Sequence, residues 1–177
     1  MAVIDHAPEI ETRRLILRAP RHADAARLAA LANDYEVASM TTRMPFPYGV
    51  SDARGFIEQV EDQDRGRDNT FVIEHEDEGL VGAIGFHRSL DEPLELGYWI
   101  GRDYWGRGFA TEAAQGALAW AKTDWRRKMV VAGHYADNAA SAQVLIKAGF
   151  LYTGEIQKRH SRARSETAPT RMMVWLA

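Results

Sequence analysis

Two glycines stand one residue apart in the segment Trp105-Gly106-Arg107-Gly108-Phe109-Ala110-Thr111. The segment follows Leu94–Ile100, which is typical of a β-strand, and it precedes alanines and a leucine that recur at helical spacing between residues 110 and 121. The first amides of a helix lack partners within the helix and carry the positive end of its dipole. A strand, a glycine turn and a helix start in this order therefore predict a site for a phosphate-containing ligand.

Other phosphate-binding motifs fit the chain less well. A P-loop requires Gly-x-x-x-x-Gly-Lys-Ser/Thr, and no such string occurs. A dinucleotide fingerprint needs a third glycine or alanine, where this chain has Thr111, and an acid after the next strand, where Met129–Tyr135 has none. These departures argue against a nucleotide-dependent enzyme. Measured binding of NAD would favour that hypothesis again. The glycines alone also fit a plain tight turn.

Composition indicates one globular domain that spans residues 1–177. Apolar residues make up 46% of the chain and charged residues 27%, which is ordinary usage for a folded protein. The net charge of -3 does not favour a polyanion, so nucleic acid is not expected as a partner. The basic run from Lys158 to Arg164 is flanked by Glu155 and Glu166, and we interpret it as a solvated loop.

The residue types exclude several kinds of chemistry. The chain has no cysteine, so a disulfide, a thiolate metal site and a cysteine nucleophile are all excluded, and no metal site is expected. Met1–Asp5 has no basic start, and no apolar run approaches the roughly 18 residues of a membrane span. We therefore expect a cytoplasmic protein without a targeting segment or a membrane partner.

Hydrophobic patterning predicts alternating strands and helices along the rest of the chain. The predicted strands lie near residues 14–18, 70–73, 80–86, 94–100, 129–132, 151–156 and 171–176. The predicted helices are one over 22–33, one capped by Ser51 and Asp52 that ends near Gly66, one after the glycine turn, and one that Asn138 caps and Gly149 closes. Gly97 suggests a bulge or a close backbone approach. The aromatic loop 44–48 fits either a substrate groove or a clasp on the core.

Several segments together resemble the GNAT superfamily of N-acetyltransferases, especially its RimJ/RimL branch, the ribosomal-protein N-terminal acetyltransferases. The segments that carry the resemblance are Glu11–Arg18, Leu96–Ile100, Trp105–Ala113, Asn138–Ser141 and Lys147–Phe150. The resemblance implies an α/β (α+β) fold: a mixed, mostly antiparallel sheet of six to seven strands, split between its fourth and fifth strands and flanked by about four helices. Trp105 departs from the Gln or Arg that is usual in the superfamily.

The resemblance also implies how acetyl-CoA binds in the cleft of the split sheet. Pantetheine pairs with the backbone of Tyr98, Trp99 and Ile100, while Asn138 and Lys147 contact the cofactor. Ser141 lies near the thioester sulfur and donates to the leaving thiolate, and Leu145 stands where other members have a tyrosine. The pyrophosphate is held by the turn, which consists of Trp105, Gly106, Arg107, Gly108, Phe109, Ala110 and Thr111.

The transfer needs a free amine, a stabilised oxyanion and a departing thiolate. An amide freed by a bulge in the fourth strand is a candidate oxyanion donor. Candidate bases are Glu95, His134 and His160, the last at a position where some relatives have an acid. Glu95 also fits an ordinary edge carboxylate, and His134 a structural histidine.

The implied reaction is acetyl transfer from acetyl-CoA to a primary amine, with a protein or peptide N-terminus as the first candidate. A small amine such as an antibiotic, a polyamine or an amino acid is the alternative, since fold analogy does not choose the acceptor. A CoA-binding regulator without catalysis is a further hypothesis. Many relatives pair into dimers, so a homodimer is a further expectation from the resemblance.

Overall fold

The computed structural model describes residues 6–177 and contains five α-helices and eight strands within that range. The strands are β1 (Ile10–Glu11), β2 (Leu15–Arg18), β3 (Asn69–His75), β4 (Gly79–His87), β5 (Glu95–Ile100), β6 (Met129–Tyr135), β7 (Leu151–Ser161) and β8 (Glu166–Leu176). The helices are α1 (Ala25–Ala32), α2 (Tyr35–Ala38), α3 (Val50–Glu61), α4 (Phe109–Thr123) and α5 (Ala139–Lys147). Short 3-10 turns occupy His22–Asp24 and Arg102–Tyr104.

All eight strands form one sheet in the order β1-β2-β3-β4-β5-β6-β8-β7. Neighbouring strands are antiparallel except β5 and β6, which are parallel and share one residue pair, Glu95 with Val131. The predicted mixed α/β fold and its split are therefore confirmed. The counts of strands and helices were slightly low, because β1 has two residues and α2 has four, too few for a periodic pattern to show.

The two faces of the sheet bury different helices. One face packs against α4 and α5 through Phe109, Leu118 and Leu145, each at most 2% exposed. The other face packs against α1 and α3, where Leu28 and Ile57 are at most 1% exposed. Helices α1 and α4 thus bury the apolar stripes that the sequence predicted, whereas α5 buries only Leu145 and leaves Ile146 46% exposed.

The start of α3 differs from the prediction. Gly49 is the residue before the helix, and its amide donates to the Asp52 carboxylate at 2.8 Å, which closes the first turn. Asp52 therefore has a capping function, whereas Ser51 lies inside the helix. The helix also ends at Glu61, well before Gly66.

The basic run lies at the end of a long hairpin, so its interpretation as a solvated loop holds for Arg162 in the exposed turn and was wrong for the residues in the strand. Lys158, Arg159 and His160 belong to β7, which pairs with β8 across 11-residue strands. Arg159 contacts Glu95, and Arg164 contacts Asp137 at 2.8 Å. Glu95 and Asp137 are distant from the basic run in sequence. The local charge pattern therefore indicated that Arg159 and Arg164 are solvated, when they are paired.

In residues 6–177, no helix combines the length and the apolar character needed to cross a membrane.

Helix α4 packs so closely on the N-terminal strands that Gly116 has no space for a side chain. A Cβ at Gly116 would lie 2.5 Å from Thr12 Cγ2, whereas a Cβ at Gly55 in α3 would meet nothing within 4 Å. Ala adds about 0.5–1 kcal/mol of helix preference over Gly at both sites. Overpacking costs about 1–3 kcal/mol at the crowded site alone.

We predict that Gly55→Ala raises the free energy of unfolding and that Gly116→Ala lowers it. Urea unfolding of both variants beside the wild type measures this difference, which should be about 1–3 kcal/mol. Equal stabilisation by both substitutions would contradict the close packing of α4.

Candidate active site

A cleft opens where β5 and β6 diverge. The Val131 amide donates to the Leu94 carbonyl at 2.8 Å, and beyond Glu95 the two strands no longer pair. The resulting cleft has a volume of about 2010 Å³ and extends from the N-terminus of α4 to β7. Strand β5 forms one wall of this cleft along its whole length.

The backbone of β5 faces the cleft at alternate residues. The Gly101 amide donates to the Val81 carbonyl at 2.8 Å, so odd-numbered residues of β5, including Trp99, pair with β4. The amides of Tyr98 and Ile100 therefore point to the cleft, and that of Trp99 does not. The predicted backbone contact from Trp99 to pantetheine conflicts with this alternation.

No bulge interrupts β5. Its pairing with β4 is continuous from Gly82 opposite Ile100 to His87 opposite Glu95, so the bulge suggested for Gly97 was wrong. The amide of Tyr98 is free because β6 diverges from β5, and a register shift is not needed. Divergence of two strands is a tertiary feature that a single glycine in the sequence cannot reveal.

The glycine turn has the backbone geometry of an anion site. Gly106 and Gly108 have φ angles of +73° and +78°, which side-chain-bearing residues rarely adopt. The first helical bond of α4 joins the Glu112 amide to the Gly108 carbonyl, so the amides of residues 109 to 111 have no partner within the helix. Phe109 is 1% exposed, and only its backbone can contact a ligand.

Trp105 fixes the turn to strand β5. Its indole Nε1 donates to the Ile100 carbonyl at 2.7 Å. This bond engages one lone pair of a carbonyl that faces the cleft, and it does not involve the Ile100 amide. The departure from Gln or Arg at this position thus has a structural role.

The N-terminal strands secure the other side of the turn through Glu112. Its carboxylate accepts from the Thr12 hydroxyl at 2.8 Å, from the Arg14 amide at 2.6 Å and from Arg14 Nε at 2.7 Å. Arg14 Nη1 also donates to the Arg107 carbonyl at 3.0 Å. Burial opposes ionisation of Glu112, but the hydrogen bonds from Arg14 and Thr12 outweigh it and lower its pKa. The segment Glu11–Arg18 therefore supports the glycine turn from behind.

Ser141, Asn138 and Tyr98 meet at the start of α5. The Asn138 side chain accepts from the Ser141 amide at 3.1 Å, which is the predicted helix cap. The Ser141 hydroxyl lies 2.6 Å from the Tyr98 hydroxyl, which crosses the cleft from β5. Burial raises the pKa of Tyr98 to about 12 against the opposing effect of the Ser141 hydrogen bond. At the other end of α5, Lys147 borders the cleft, and its carbonyl accepts from Gln115 at 3.2 Å.

Of the three predicted bases, Glu95 alone is half-buried, and it is the first residue of β5. Its carboxylate is held by Arg159 in a bidentate pair, with Nη1 to Oε1 at 2.5 Å and Nη2 to Oε2 at 3.2 Å. Gln157 holds the same guanidinium through bonds of 3.0 and 2.9 Å. The negative charge of Glu95 is thus compensated by the guanidinium of Arg159.

The two predicted histidine bases have other surroundings. His134 is buried, with Nδ1 2.8 Å from the Tyr135 carbonyl and Nε2 2.9 Å from the Tyr152 hydroxyl. Because a carbonyl only accepts, Nδ1 carries a proton, and Tyr152 occupies the remaining nitrogen. His160 is exposed and borders the cleft, although strand alternation places it on the face opposite Arg159. His134 is therefore not placed like a free base, whereas His160 stays a candidate.

His87 is a candidate site residue that sequence reasoning missed. It ends β4, pairs across the ladder with Glu95, and its ring lies over Gly97, with Cε1 3.6 Å from where a Cβ would stand. Burial lowers its pKa first of all, Arg43 and Arg159 add to this effect, and Glu95 and Asp68 oppose it. The sequence did carry a signal for this site: a predicted hairpin places His87 opposite Glu95, and the nearby Gly97 leaves space for the histidine ring.

The aromatic loop borders the cleft and also packs on the core. Met44, Pro45 and Tyr48 border the cleft. Tyr48 also packs against the core between α1 and α3, where burial and the charge of Asp52 raise its pKa to about 12. Phe46, which is 43% exposed, meets Tyr35 edge to face instead.

Residues 6–177 contain no cluster of three or more His, Asp or Glu side chains that could hold a metal ion.

A strand-divergence cleft with a glycine turn at one end defines the acyl-CoA N-acyltransferase class. The model of the acetyltransferase (GNAT) domain family matches residues 14–151, and the chain belongs to this family. It is an N-acetyltransferase, and GNAT enzymes use acetyl-CoA as their cosubstrate.

Two curated relatives illustrate the similarity. An uncharacterized N-acetyltransferase, p20 of Bacillus licheniformis, is 33% identical over 81% of this chain and 82% of its own length. The ribosomal-protein-serine acetyltransferase of Escherichia coli K12 is 34% identical over 51% of each chain.

Solved structures share the fold at lower identity. Mycobacterium smegmatis RimJ, solved with CoA-disulfide, has a TM-score of 0.83 at 23% identity and covers 96% of this chain and 88% of its own. Spermidine N-acetyltransferase of Vibrio cholerae, solved with CoA and spermine, has a TM-score of 0.75 at 18% identity and covers 92% and 95%.

The environment of His87 predicts a loss of stability on acidification. Its pKa is lowered in the folded state, so the unfolded chain binds the proton more readily as pH falls through the ordinary histidine value of about 6.5. Stability from this group is present above that pH and falls below it. We expect His87→Gln to lose less stability than the wild type between about pH 7 and pH 5, as measured by urea unfolding. Parallel losses in both proteins would show that His87 protonates freely.

Proposed function

We propose that this acetyltransferase modifies the α-amine of a protein or peptide N-terminus, by direct attack on acetyl-CoA in a ternary complex. The observation that supports this acceptor is the bidentate pair of Glu95 with Arg159 beside the cofactor strand. Both carboxylate oxygens of Glu95 already accept hydrogen bonds from Arg159, so neither oxygen is without a partner when an amine approaches. The site therefore suits an amine that loses its proton easily.

Proton removal separates the two acceptor classes by energy. An α-amine with a pKa of about 8 costs roughly 1.4 kcal/mol to deprotonate at pH 7, whereas an alkylamine with a pKa of about 10.4 costs roughly 4.6 kcal/mol. The larger cost calls for a strong, positioned base. With Glu95 compensated and both nitrogens of His134 occupied, an α-amine is the better match.

Charge close to Glu95 supports the same choice. A polyamine binds best to acidic side chains whose charge is not compensated, and Arg159 neutralises the carboxylate of Glu95 on β5. The exposed side chain of Arg43 borders the same cleft, close enough to His87 to lower its pKa. Arg43 thus adds a positive charge near the attack position, which disfavours a second positive charge on the acceptor. Acids also border the cleft, among them Glu36, Asp62 and Asp64.

The cofactor would lie along the wall that β5 and α4 form. In this assignment the amides from Gly106 to Thr111 hold the pyrophosphate, and pantetheine runs past Tyr98 and Ile100 towards Glu95. The Tyr98 amide, which strand divergence frees, would bind the oxyanion, while Ser141 would lie at the sulfur. The amine attacks from the face that carries Glu95 and His87.

The phosphate assignment is tested by Gly108→Val. A side chain at a φ of +78° costs about 1–2 kcal/mol and forces the turn to change conformation. The backbone amides of the turn then no longer point at one common position. We expect calorimetric titration with acetyl-CoA to show at least a tenfold loss of affinity. Gly154→Val is the matched control, since Gly154 also has a positive φ, +88°, but lies outside the turn.

NADH, titrated beside acetyl-CoA, should not bind to the wild type. Equal acetyl-CoA affinity in the wild type and Gly108→Val would show that the turn is structural only, and saturable NADH binding would favour the nucleotide-dependent hypothesis.

The acceptor is tested with paired amines. A peptide with a free N-terminal Ser or Ala should release CoA from acetyl-CoA, and its rate should rise with pH through the α-amine pKa of about 8. The same peptide with a blocked N-terminus and one internal lysine, and spermidine, are the matched comparisons. Mass spectrometry locates the acetyl group.

Faster turnover of spermidine than of the free peptide would assign the site to small amines. Absence of turnover with every amine, despite tight acetyl-CoA binding, would favour the CoA-binding regulator.

A further inference from the structure

We propose that Tyr98 is a positioning residue for the departing thiolate: its hydroxyl donates to Ser141 Oγ and thereby directs the Ser141 proton at the CoA sulfur. This inference rests on the placement of Ser141 near the thioester in the proposed function. The Tyr98 side chain thus has a role separate from that of the Tyr98 backbone amide. The hydroxyls of Tyr98 and Ser141 act together on the sulfur.

Geometry brings the two hydroxyls together from opposite halves of the split sheet. Tyr98 belongs to β5 and Ser141 to the first turn of α5, yet their oxygens lie 2.6 Å apart, a short hydrogen bond. The Ser141 carbonyl is farther from the tyrosine oxygen, at 3.4 Å. The Tyr98 hydroxyl is therefore directed at the serine oxygen.

The direction of this hydrogen bond follows from acidity. A phenol is a stronger acid than an aliphatic alcohol and is the better donor of the pair. When Tyr98 donates, Ser141 Oγ accepts and its own hydrogen must go elsewhere. Among the described residues, no other protein group accepts from Ser141 Oγ, so its hydrogen is free to point into the cleft. A hydroxyl that already accepts a hydrogen bond is also a stronger donor.

The pair stabilises the leaving group without giving up a proton. As the C–N bond forms, the C–S bond breaks and its electron pair stays on sulfur. A thiolate with a conjugate pKa of about 8.5 cannot deprotonate a phenol whose pKa burial has raised to about 12. Ser141 and Tyr98 therefore keep their protons and donate hydrogen bonds, and the proton lost by the amine nitrogen passes to solvent and later to the thiolate.

The first turn of α5 adds to the same effect. Asn138 caps the Ser141 amide and fixes the serine at the N-terminal end of a nine-residue helix, where the dipole favours negative charge. Tyr98 then holds the hydroxyl rotamer on the opposite side. The helix dipole and the Tyr98 hydrogen bond thus both act on the sulfur through Ser141.

Titration of the thiol of bound CoA tests the pair without any acceptor. Ultraviolet absorbance reports the thiolate of CoA in the binary complex, with the desulfo-CoA complex as the blank. We expect Ser141→Ala to lower the thiolate fraction at a fixed pH by about tenfold, the scale of one hydrogen bond to a charged group. Tyr98→Phe should lower it in the same direction by about twofold to fivefold, since it acts through the serine.

The double variant, Tyr98→Phe with Ser141→Ala, shows whether the two hydroxyls act together or donate to the sulfur independently. If Tyr98 acts through Ser141, adding Tyr98→Phe to Ser141→Ala changes nothing further. Tyr152→Phe is the matched control: it removes a hydroxyl that is hydrogen-bonded to His134 at 2.9 Å, and it should leave the titration unchanged.

Each remaining result contradicts a stated part of the proposal. A wild-type titration curve in Tyr98→Phe, with CoA bound, would reduce Tyr98 to a structural bridge and leave the proposed function intact. Additive effects in the double variant would mean that Tyr98 contacts sulfur itself. Failure of the wild type to bind CoA in calorimetry would reject the cofactor site and the pair together, whereas the acceptor assay tests the α-amine independently.

Discussion

The single residue pair between β5 and β6 is the constraint on which the site depends. Parallel strands normally pair along their length, and here the pairing stops after Glu95 opposite Val131. A sheet that stays paired leaves no free amides in its interior, so the divergence creates both the cleft and the exposed backbone of β5. The Tyr98 hydroxyl then reaches from β5 to Ser141 at the start of α5, which ties the strand to the helix that follows β6.

Arginine–carboxylate pairs between distant segments keep the edges of this cleft in place. Arg14 and Glu112 join the N-terminal strands to the glycine turn, and Arg159 and Glu95 join the hairpin to the cofactor strand. Between β5 and the glycine turn, Arg102 is paired with Asp34 at 2.6 Å. Exposed pairs of this kind contribute about 0–1 kcal/mol each to stability. Their main effect is to select one position for each segment, because bidentate geometry tolerates little displacement.

The candidate site has few groups that act as strong acids or bases. Tyr98 stays protonated because burial raises its pKa to about 12, and Glu95 is compensated by Arg159. Stabilisation of developing charge by fixed donors is the mechanism that such a site supports best. The sequence suggested bases by residue type alone, and only contacts distinguished a compensated carboxylate from a free one.

Periodicity and turn chemistry in the sequence determined the strand–turn–helix order, the helix cap at Asn138 and the glycine turn, because these depend on neighbours within a few residues. The same local signals failed for the basic run, whose partners Glu95 and Asp137 lie far away along the chain. They also missed His87, which becomes a site residue only through its cross-strand partner Glu95. Tertiary structure alone decided which amides of β5 are free and which hydroxyl meets Ser141, because strand divergence and contacts across the cleft arise from long-range packing.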